Sequence, residues 1–226
     1  MMLNNKCKDN KNNDDDSYNK DFNLKIIGIT GEAGAGKTTI TKKYAALHKG
    51  YYILTDDVAK EIMEPGNCCY NKVIEHFDNN ILEEDKSINR SKLASIVFND
   101  AEKLKILNSL VHSEVVAKVT DIIKNIKSLN NESNCGNIYK VVLIESAILF
   151  QVEDLVKLCD EIWYIEATKD DRRDRLKRER NYSDERIEAM SISQESVRLT
   201  KDKCDRVIIN DRDIDELNEL LLDMKL

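Results

Sequence analysis

The stretch GEAGAGKTT at residues 31–39 has the residue types and the spacing of a phosphate-binding loop. Gly31, Gly36, Lys37 and Thr38 fill the pattern G-x-x-x-x-G-K-[ST]. Glycines let successive backbone N–H groups face phosphate oxygens, and a helix N-terminus adds partial positive charge. The lysine supplies a full charge to the β- and γ-phosphates, and the next hydroxyl can bind Mg²⁺. The expected contacts of a nucleoside triphosphate are Gly31, Gly34, Ala35, Gly36, Lys37, Thr38 and Thr39.

The segments on either side of this loop support that interpretation. LKIIGIT, residues 24–30, is a short β-branched apolar run and indicates a buried strand. TTITKKYAALH, residues 38–48, contains no helix breaker and indicates a helix. A loop that is glycine-rich only in order to turn is the alternative. Strand, loop and helix in this order are the context that the phosphate-binding motif requires.

Two adjacent carboxylates, Asp56 and Asp57, follow the second apolar run, YYIL. In an open parallel sheet the ligand lies beyond the carboxyl ends of the strands, where the phosphate loop also lies. A carboxylate there can accept a proton from an acceptor hydroxyl and direct that hydroxyl at the γ-phosphate. Asp is also favoured as the N-cap of a following helix. Position alone leaves both roles open, and one Asp could perform each.

A third acid, Glu145, ends the apolar run KVVLIE. An acid at the end of a buried strand beside a phosphate loop can order Mg²⁺ through water or hold Thr38. It could also cap the turn that follows. We favour the metal-side role.

The segment KDDRRDRLKRER, residues 169–180, is strongly cationic in an otherwise acidic chain. One interpretation is a solvated helix joined by the i,i+4 ion pairs Asp171–Arg175 and Asp174–Arg178. The other is an arginine-bearing lid that closes over phosphates and stabilises the transferring charge. The two are compatible, since a lid must itself be helical and solvated when open.

Five apolar runs alternate with helical patterns along the chain. Such runs predict an α/β fold with a five-stranded parallel sheet covered by helices on both faces. The predicted strands are residues 24–30, 51–54, 140–145, 161–166 and 206–210.

Composition and periodicity predict the division of the chain. Residues 1–22, rich in Asn, Asp and Lys, are expected to be a disordered tail. Residues 23–60 and 138–226 are expected to form the nucleotide-binding core, with a lid at about 169–190, and residues 61–137 a helical insertion. A long amphipathic helix is predicted at 101–126, and its apolar stripe is Leu104, Leu107, Val111, Val115, Val119 and Ile122 or Ile123. A last helix is predicted at 213–225, with Ile214, Leu217, Leu221 and Met224 on one face.

Net charge, cysteine spacing and the length of apolar runs limit the kinds of partner and cellular location that we expect. The net charge of −7 argues against a nucleic-acid-binding surface. Six cysteines show no C-x-x-C spacing, and no secretory signal is evident, so we expect reduced thiols and a cytoplasmic location. No apolar run reaches the length of a membrane span. The expected state is a monomer.

Two classes of phosphate-loop protein fit the motif. TKDD at 168–171 is similar to the guanine-reading [NT]-K-x-D of GTPase switches, but no D-x-x-G occurs anywhere in the chain. A helical insertion and an arginine-rich lid fit a small-molecule kinase better. We therefore interpret TKDD as the start of the lid helix.

Further stretches carry a specific resemblance. TDDVAKEIMEPG at 55–66, INRSKLASIVFND at 88–100 and LNSLVH at 107–112 occur in order, followed by ILF at 148–150, Gln194 and CDRVIIN at 204–210. With the phosphate loop, this ordered set resembles the dephospho-coenzyme A kinase family from Leu24 to about Leu222. Phosphate loops are shared by many families, whereas this set is specific.

The resemblance implies ATP-dependent phosphorylation of the ribose 3′-hydroxyl of dephospho-CoA, with Mg²⁺ as cofactor. It implies that Asp56 rather than Asp57 is catalytic, counted back from the Glu-Pro-Gly at 64–66, together with Lys37. It further implies a lid arginine at Arg175, acceptor contacts at Asp56, Arg90 and His112, a metal site at Thr38 and Glu145, and closure around adenine at Asn210. From the residues alone His112 would be a packing residue.

The chain departs from the family pattern at three places. The usual His-Pro is His112-Ser113, and the usual Pro-Leu-Leu-x-Glu is Ala-Ile-Leu-Phe-Gln at 147–151. The carboxylate missing at Gln151 puts an acceptor-side role there in doubt. The spacing within 175–183 also differs, so Arg178 and Arg180 compete for the second lid position.

Overall fold

The computed structural model describes residues 24–132, 138–211 and 214–225. Its centre is a five-stranded, all-parallel sheet in the order β2-β3-β1-β4-β5, which confirms the predicted fold class. The strands are β1 (Lys25–Thr30), β2 (Gly50–Leu54), β3 (Val141–Glu145), β4 (Glu161–Glu166) and β5 (Arg206–Ile209). Each strand lies within one residue of its predicted bounds because buried apolar runs leave little choice of structure.

The register of the sheet brings three strand ends together. Ile29 of β1 and Leu54 of β2 are both opposite Glu145 of β3. The phosphate loop after β1, the Asp pair after β2 and Glu145 therefore share one edge of the sheet.

Helices cover both faces of this sheet. The helices of the described residues are α1 (Lys37–Leu47), α2 (Thr55–Ile62), α3 (Cys68–Phe77), α4 (Arg90–Phe98), α5 (Ala101–Glu132), α6 (Glu153–Leu158), α7 (Lys169–Arg180), α8 (Asp184–Ser193), α9 (Glu195–Arg198) and α10 (Ile214–Asp223). Short 3-10 turns lie at Asn79–Ile81, Leu149–Gln151 and Lys201–Lys203.

Alternate strand residues enter two separate cores, as the two-residue period of a strand requires. Val142 and Ile144 pack with apolar side chains of α2 to α6 on one face. Val141 and Leu143 pack with those of α1 and α10 on the other face. On that second face Leu217 and Leu221 are buried and Met224 packs beside them, as predicted for the last helix.

The long helix α5 confirms the predicted amphipathic segment and extends it to Glu132. Of its predicted stripe, Val115, Val119 and Ile123 are buried, and Leu107, Val111 and Ile122 pack half-buried against the same core. The prediction for Leu104 is wrong, since this side chain is 41% exposed. α5 shares one core with the sheet. The helical insertion with bounds 61–137 stays a prediction.

Some predictions lie outside the described residues. These are the tail at 1–22, most of the loop returning to the sheet, and two of the cysteines. The four cysteines within the described ranges are free, and their reduced state stays a prediction. None of the described helices combines the length and the apolar character needed to cross a membrane.

Candidate active site

The phosphate loop joins the end of β1 to the start of α1. Gly36 is the N-cap of α1 and has φ 90°, a left-handed conformation that favours glycine. A Cβ on Gly36 would lie 2.1 Å from Asn210 Nδ2, and one on Gly34 would lie 2.7 Å from the carbonyl oxygen of Arg172. The loop therefore requires glycine for its backbone conformation and for the close approach of its neighbours.

Lys37 lies at the first position of α1 and is buried. Its ammonium donates to the carbonyl oxygens of Gly31 at 2.9 Å and Glu32 at 3.1 Å. Burial lowers the pKa of Lys37, and the negative charges of Glu145 and Asp56 oppose that shift. A buried cation with carboxylates nearby is suited to neutralise phosphate oxygens.

Thr38 and Glu145 form the contact that one of the sequence interpretations anticipates. The Thr38 hydroxyl donates to Glu145 Oε1 at 3.1 Å, and Oε2 is buried without a hydrogen-bond partner. Burial raises the pKa of Glu145, while the Thr38 hydrogen bond and Lys37 oppose the rise.

A magnesium ion fits this pair of side chains. Hydroxyl and carboxylate oxygens are the hard ligands that Mg²⁺ prefers, and the unpartnered Oε2 of Glu145 is free to accept from a metal-bound water. Across the described ranges, no three His, Cys, Asp or Glu side chains converge on a possible metal position. An ion here would depend on phosphate oxygens and water for most of its ligands.

The Asp pair lies in the first turn of α2. This helix begins at Thr55 with Leu54 as its N-cap, so the interpretation of either Asp as an N-cap is wrong. Asp57 is exposed and pairs with Lys60 at 2.7 Å. The negative charge of Asp56 partly offsets the burial that lowers the pKa of Lys37, and it adds to the burial that raises the pKa of Glu145.

α7 lies against the phosphate loop and begins where the sequence predicts, with Thr168 as its N-cap. The two anticipated i,i+4 ion pairs do not form in this helix. Asp171 accepts from the Thr168 hydroxyl, and Arg178 pairs with the adjacent Glu179. The physical reason is that Arg175 has better acceptors in the loop.

Arg175 and Asn210 hold the loop carbonyls together. One Arg175 nitrogen donates to Ala35 O at 3.3 Å and to Gly34 O at 3.4 Å, and the other donates to Asn210 O at 2.8 Å. The Asn210 amide donates to Ala35 O at 2.8 Å. The sequence-predicted residues Arg175 and Asn210 thus meet at the loop.

A cleft of about 890 Å³ opens above these groups. Of the predicted residues, those that line it are Gly34, Gly36, Lys37, Thr38, Thr39, Asp56, Glu145, Arg175 and Asn210. Arg178 and Arg180 also line it, and after burial the positive charge of Arg180 is one of the smaller contributions to the pKa of both Lys37 and Glu145. Gly31 and Ala35 contribute carbonyl acceptors without lining the cleft.

The two predicted acceptor residues lie elsewhere. Arg90 is the exposed first residue of α4, and His112 is a half-buried residue of α5 whose pKa is lowered by burial. Neither lines the cleft. Sequence reasoning missed Glu32, Arg172 and Arg198, whose side chains meet beside the loop. The one sequence feature that could have indicated this cluster is the acidic residue inside the phosphate loop.

Solved structures of known proteins share this fold. In solved structures, the fold is similar to that of a Thermus thermophilus protein, with a TM-score of 0.70 at 22% identity over 88% of this chain and 94% of the other. It is also similar to a dephospho-CoA kinase from Campylobacter jejuni, with a TM-score of 0.55 at 22% identity over the same shares.

Comparison of the sequence with curated proteins identifies the family as well as the fold. A dephospho-CoA kinase from Carboxydothermus hydrogenoformans is 35% identical over 88% of this chain and 92% of its own length. Another from Oceanobacillus iheyensis is 31% identical over 84% of this chain and 91% of its own length. The family model described as dephospho-CoA kinase (CoaE) matches residues 25–216. The chain belongs to the dephospho-CoA kinase family.

Proposed function

We propose that this protein transfers the γ-phosphoryl group of ATP to the ribose 3′-hydroxyl of dephospho-CoA, giving coenzyme A in the last step of its synthesis. The observation that carries the proposal is the cleft in which Lys37, Asp56 and Arg175 meet at the end of a parallel sheet. Family membership identifies the acceptor class.

The chemistry assigned to each side chain follows from its position. Asp56 accepts the proton of the 3′-hydroxyl as its oxygen attacks the γ-phosphorus, and the bond to the β–γ bridging oxygen breaks to release ADP. Lys37 and Arg175 neutralise charge on the phosphates. Thr38 and Glu145 would hold Mg²⁺, which would supply further positive charge to offset that of the triphosphate. Closure of the cleft excludes water, which would otherwise compete as acceptor.

The acceptor is assigned to the helical side of the cleft. Arg90 and His112, on α4 and α5, are proposed to contact dephospho-CoA, as the family resemblance implies. Neither residue lines the cleft around the phosphate loop, which fits a long acceptor that extends away from the reacting hydroxyl. We also infer a cytoplasmic monomer without nucleic-acid or membrane partners, which the net charge of −7 and the free cysteines of the described ranges support.

An acceptor panel tests the function. ADP release with MgATP is measured for dephospho-CoA, AMP, adenosine, gluconate and shikimate, and the product is identified by mass spectrometry. We expect dephospho-CoA to be preferred by at least about 100-fold in kcat/KM, since binding energy from the pantetheine arm positions the ribose. Preference for any other acceptor would leave only a small-molecule kinase of another specificity.

A further inference from the structure

Glu32 places a carboxylate inside the phosphate loop, between Gly31 and the residues that face phosphate. Its side chain is only 10% exposed. A negative charge beside a triphosphate opposes binding by Coulomb repulsion, so this residue needs a compensating role.

Two arginines from distant segments bind the same oxygen of this carboxylate. Arg198 of α9 donates to Glu32 Oε1 at 2.9 Å, and Arg172 of α7 forms an ion pair with the same oxygen, also at 2.9 Å. Arg172 is itself buried, with 7% of its surface exposed, and its Nε has no hydrogen-bond partner. A charge-assisted hydrogen bond such as that of Arg198 is roughly twice as strong as a neutral one, and the buried Arg172 depends on the carboxylate to compensate its charge.

Neighbouring contacts fix the same half of the loop. The Ala33 N–H donates to the side-chain oxygen of Gln194 at 2.7 Å. The backbone of Arg172 lies so close to Gly34 that a Cβ there would be 2.7 Å from the Arg172 carbonyl oxygen. α7 and the segment from Gln194 to Arg198 are therefore attached to the loop between Gly31 and Gly34.

We propose that Glu32 is a positioning residue: it ties the first half of the phosphate loop to Arg172 and Arg198, and this tie holds the loop in its phosphate-binding shape. The gain from a preformed loop exceeds the repulsion from one carboxylate that two arginines neutralise. The inference rests on the proposed function only in that the cleft binds a nucleoside triphosphate.

A positioning role and a purely electrostatic role predict opposite effects of Glu32→Gln on nucleotide affinity. This change removes a negative charge from the loop, so electrostatics alone predicts tighter nucleotide binding. Positioning predicts weaker binding. We expect the Kd of a non-hydrolysable MgATP analogue, measured by calorimetry on the full chain, to rise about tenfold, with kcat/KM for ATP falling in parallel. Unchanged or tighter binding would overturn the proposal.

The chain offers a matched control at the other edge of the sheet. Glu161 at the start of β4 also binds two cations, Lys25 and Arg206. Glu161→Gln therefore breaks a similar cluster away from the loop, and we expect the analogue to bind within about twofold of the parent. Equal weakening in both variants would mean general destabilisation and would overturn the positioning role.

A second variant covers the case in which Glu32→Gln alone does not fold. The double change Glu32→Gln with Arg172→Gln removes the buried pair together, which proteins often tolerate, and leaves the net charge of the cluster unchanged. We expect weaker analogue binding here too, and binding equal to the parent would overturn the proposal. Analogue binding needs no acceptor, so failure of dephospho-CoA as a substrate would count against the proposed function alone.

Discussion

The Thr38 hydroxyl lies 3.1 Å from Glu145 Oε1 and joins the first turn of α1 to the last residue of β3. Glu145 gains only this one hydrogen bond, because its Oε2 is buried without a partner. Burial raises the pKa of the carboxyl, so its ionised form is disfavoured in the folded protein. A group held in this way is expected to serve ligand binding at the expense of stability.

Glu145→Gln is expected to stabilise the ligand-free protein at high pH and to slow phosphoryl transfer. A raised folded-state pKa means that the folded state binds the proton more tightly than the unfolded state. The stability from this group is full below its usual pKa of 4.5 and is lost as pH rises through the raised value. Glutamine does not titrate and avoids that loss.

We expect the Tm of Glu145→Gln to exceed that of the parent by about 2–4 °C at about pH 8 and to match it near pH 4. Thermal unfolding followed by circular dichroism across this range checks the difference. Glu153→Gln, a change at an exposed glutamate of α6, is the control and should show no such trend. A Glu145→Gln protein that is less stable than the parent at pH 8 would contradict the argument.

Lys37→Ala is expected to reduce kcat at least about 100-fold, since single groups that stabilise transition-state charge contribute that much. Turnover with saturating MgATP and dephospho-CoA is the measurement. The control is Lys43→Ala on the same helix, whose ammonium binds Asn218 of α10 and should leave kcat within about threefold. Near-normal turnover by a folded Lys37→Ala protein would remove the phosphate-loop assignment.

The neighbours Asp56 and Asp57 provide a matched pair of substitutions. Asp56→Asn is expected to lower kcat by about 10²–10⁴-fold with little change in either substrate Kd, as loss of a general base does. Asp57→Asn should be mild, because that carboxylate is exposed and paired with Lys60. Steady-state kinetics and calorimetry on both variants separate the two. If Asp57→Asn is the damaging change, the alignment with the family is wrong by one residue.

The sequence predicted the sheet well because its signal is local. Each strand is a short apolar run, and the carboxyl ends of parallel strands necessarily meet at one edge. Periodicity was less informative about α5, because a helical stripe shows which face is apolar without showing how far its partner extends. The fully buried side chains of α5 begin at Val115, with Leu107 and Val111 half-buried against the same core, and Leu104 lies beyond it and is exposed.

The site was predictable only where residue type and spacing act together. The motif predicted the phosphate loop. The rule that parallel strands end at one edge of the sheet predicted that Thr38 and Glu145 lie close together. No local pattern could pair Glu32 with Arg198, which is 166 residues away. The anticipated Asp171–Arg175 pair failed for the same reason, since the real acceptors of Arg175 are carbonyls from the loop and from Asn210.

The choice between Arg178 and Arg180 as the second lid arginine can be decided by two substitutions that remove the same charge from the same helix. Burial is the main cause of the lowered pKa of Lys37 and the raised pKa of Glu145, and the positive charge of Arg180 adds a smaller lowering contribution to each. Arg180 therefore lies close enough to the phosphate loop to act on its charged groups. The Arg178 side chain is 71% exposed and pairs with Glu179. We therefore expect Arg180→Ala to lower kcat by about 10–100-fold and Arg178→Ala by no more than about threefold.

Transfer to dephospho-CoA and ATP hydrolysis without acceptor are measured for both variants. Equal losses would mean that only the total charge of α7 matters, and a larger loss from Arg178→Ala would assign the lid position to that residue instead.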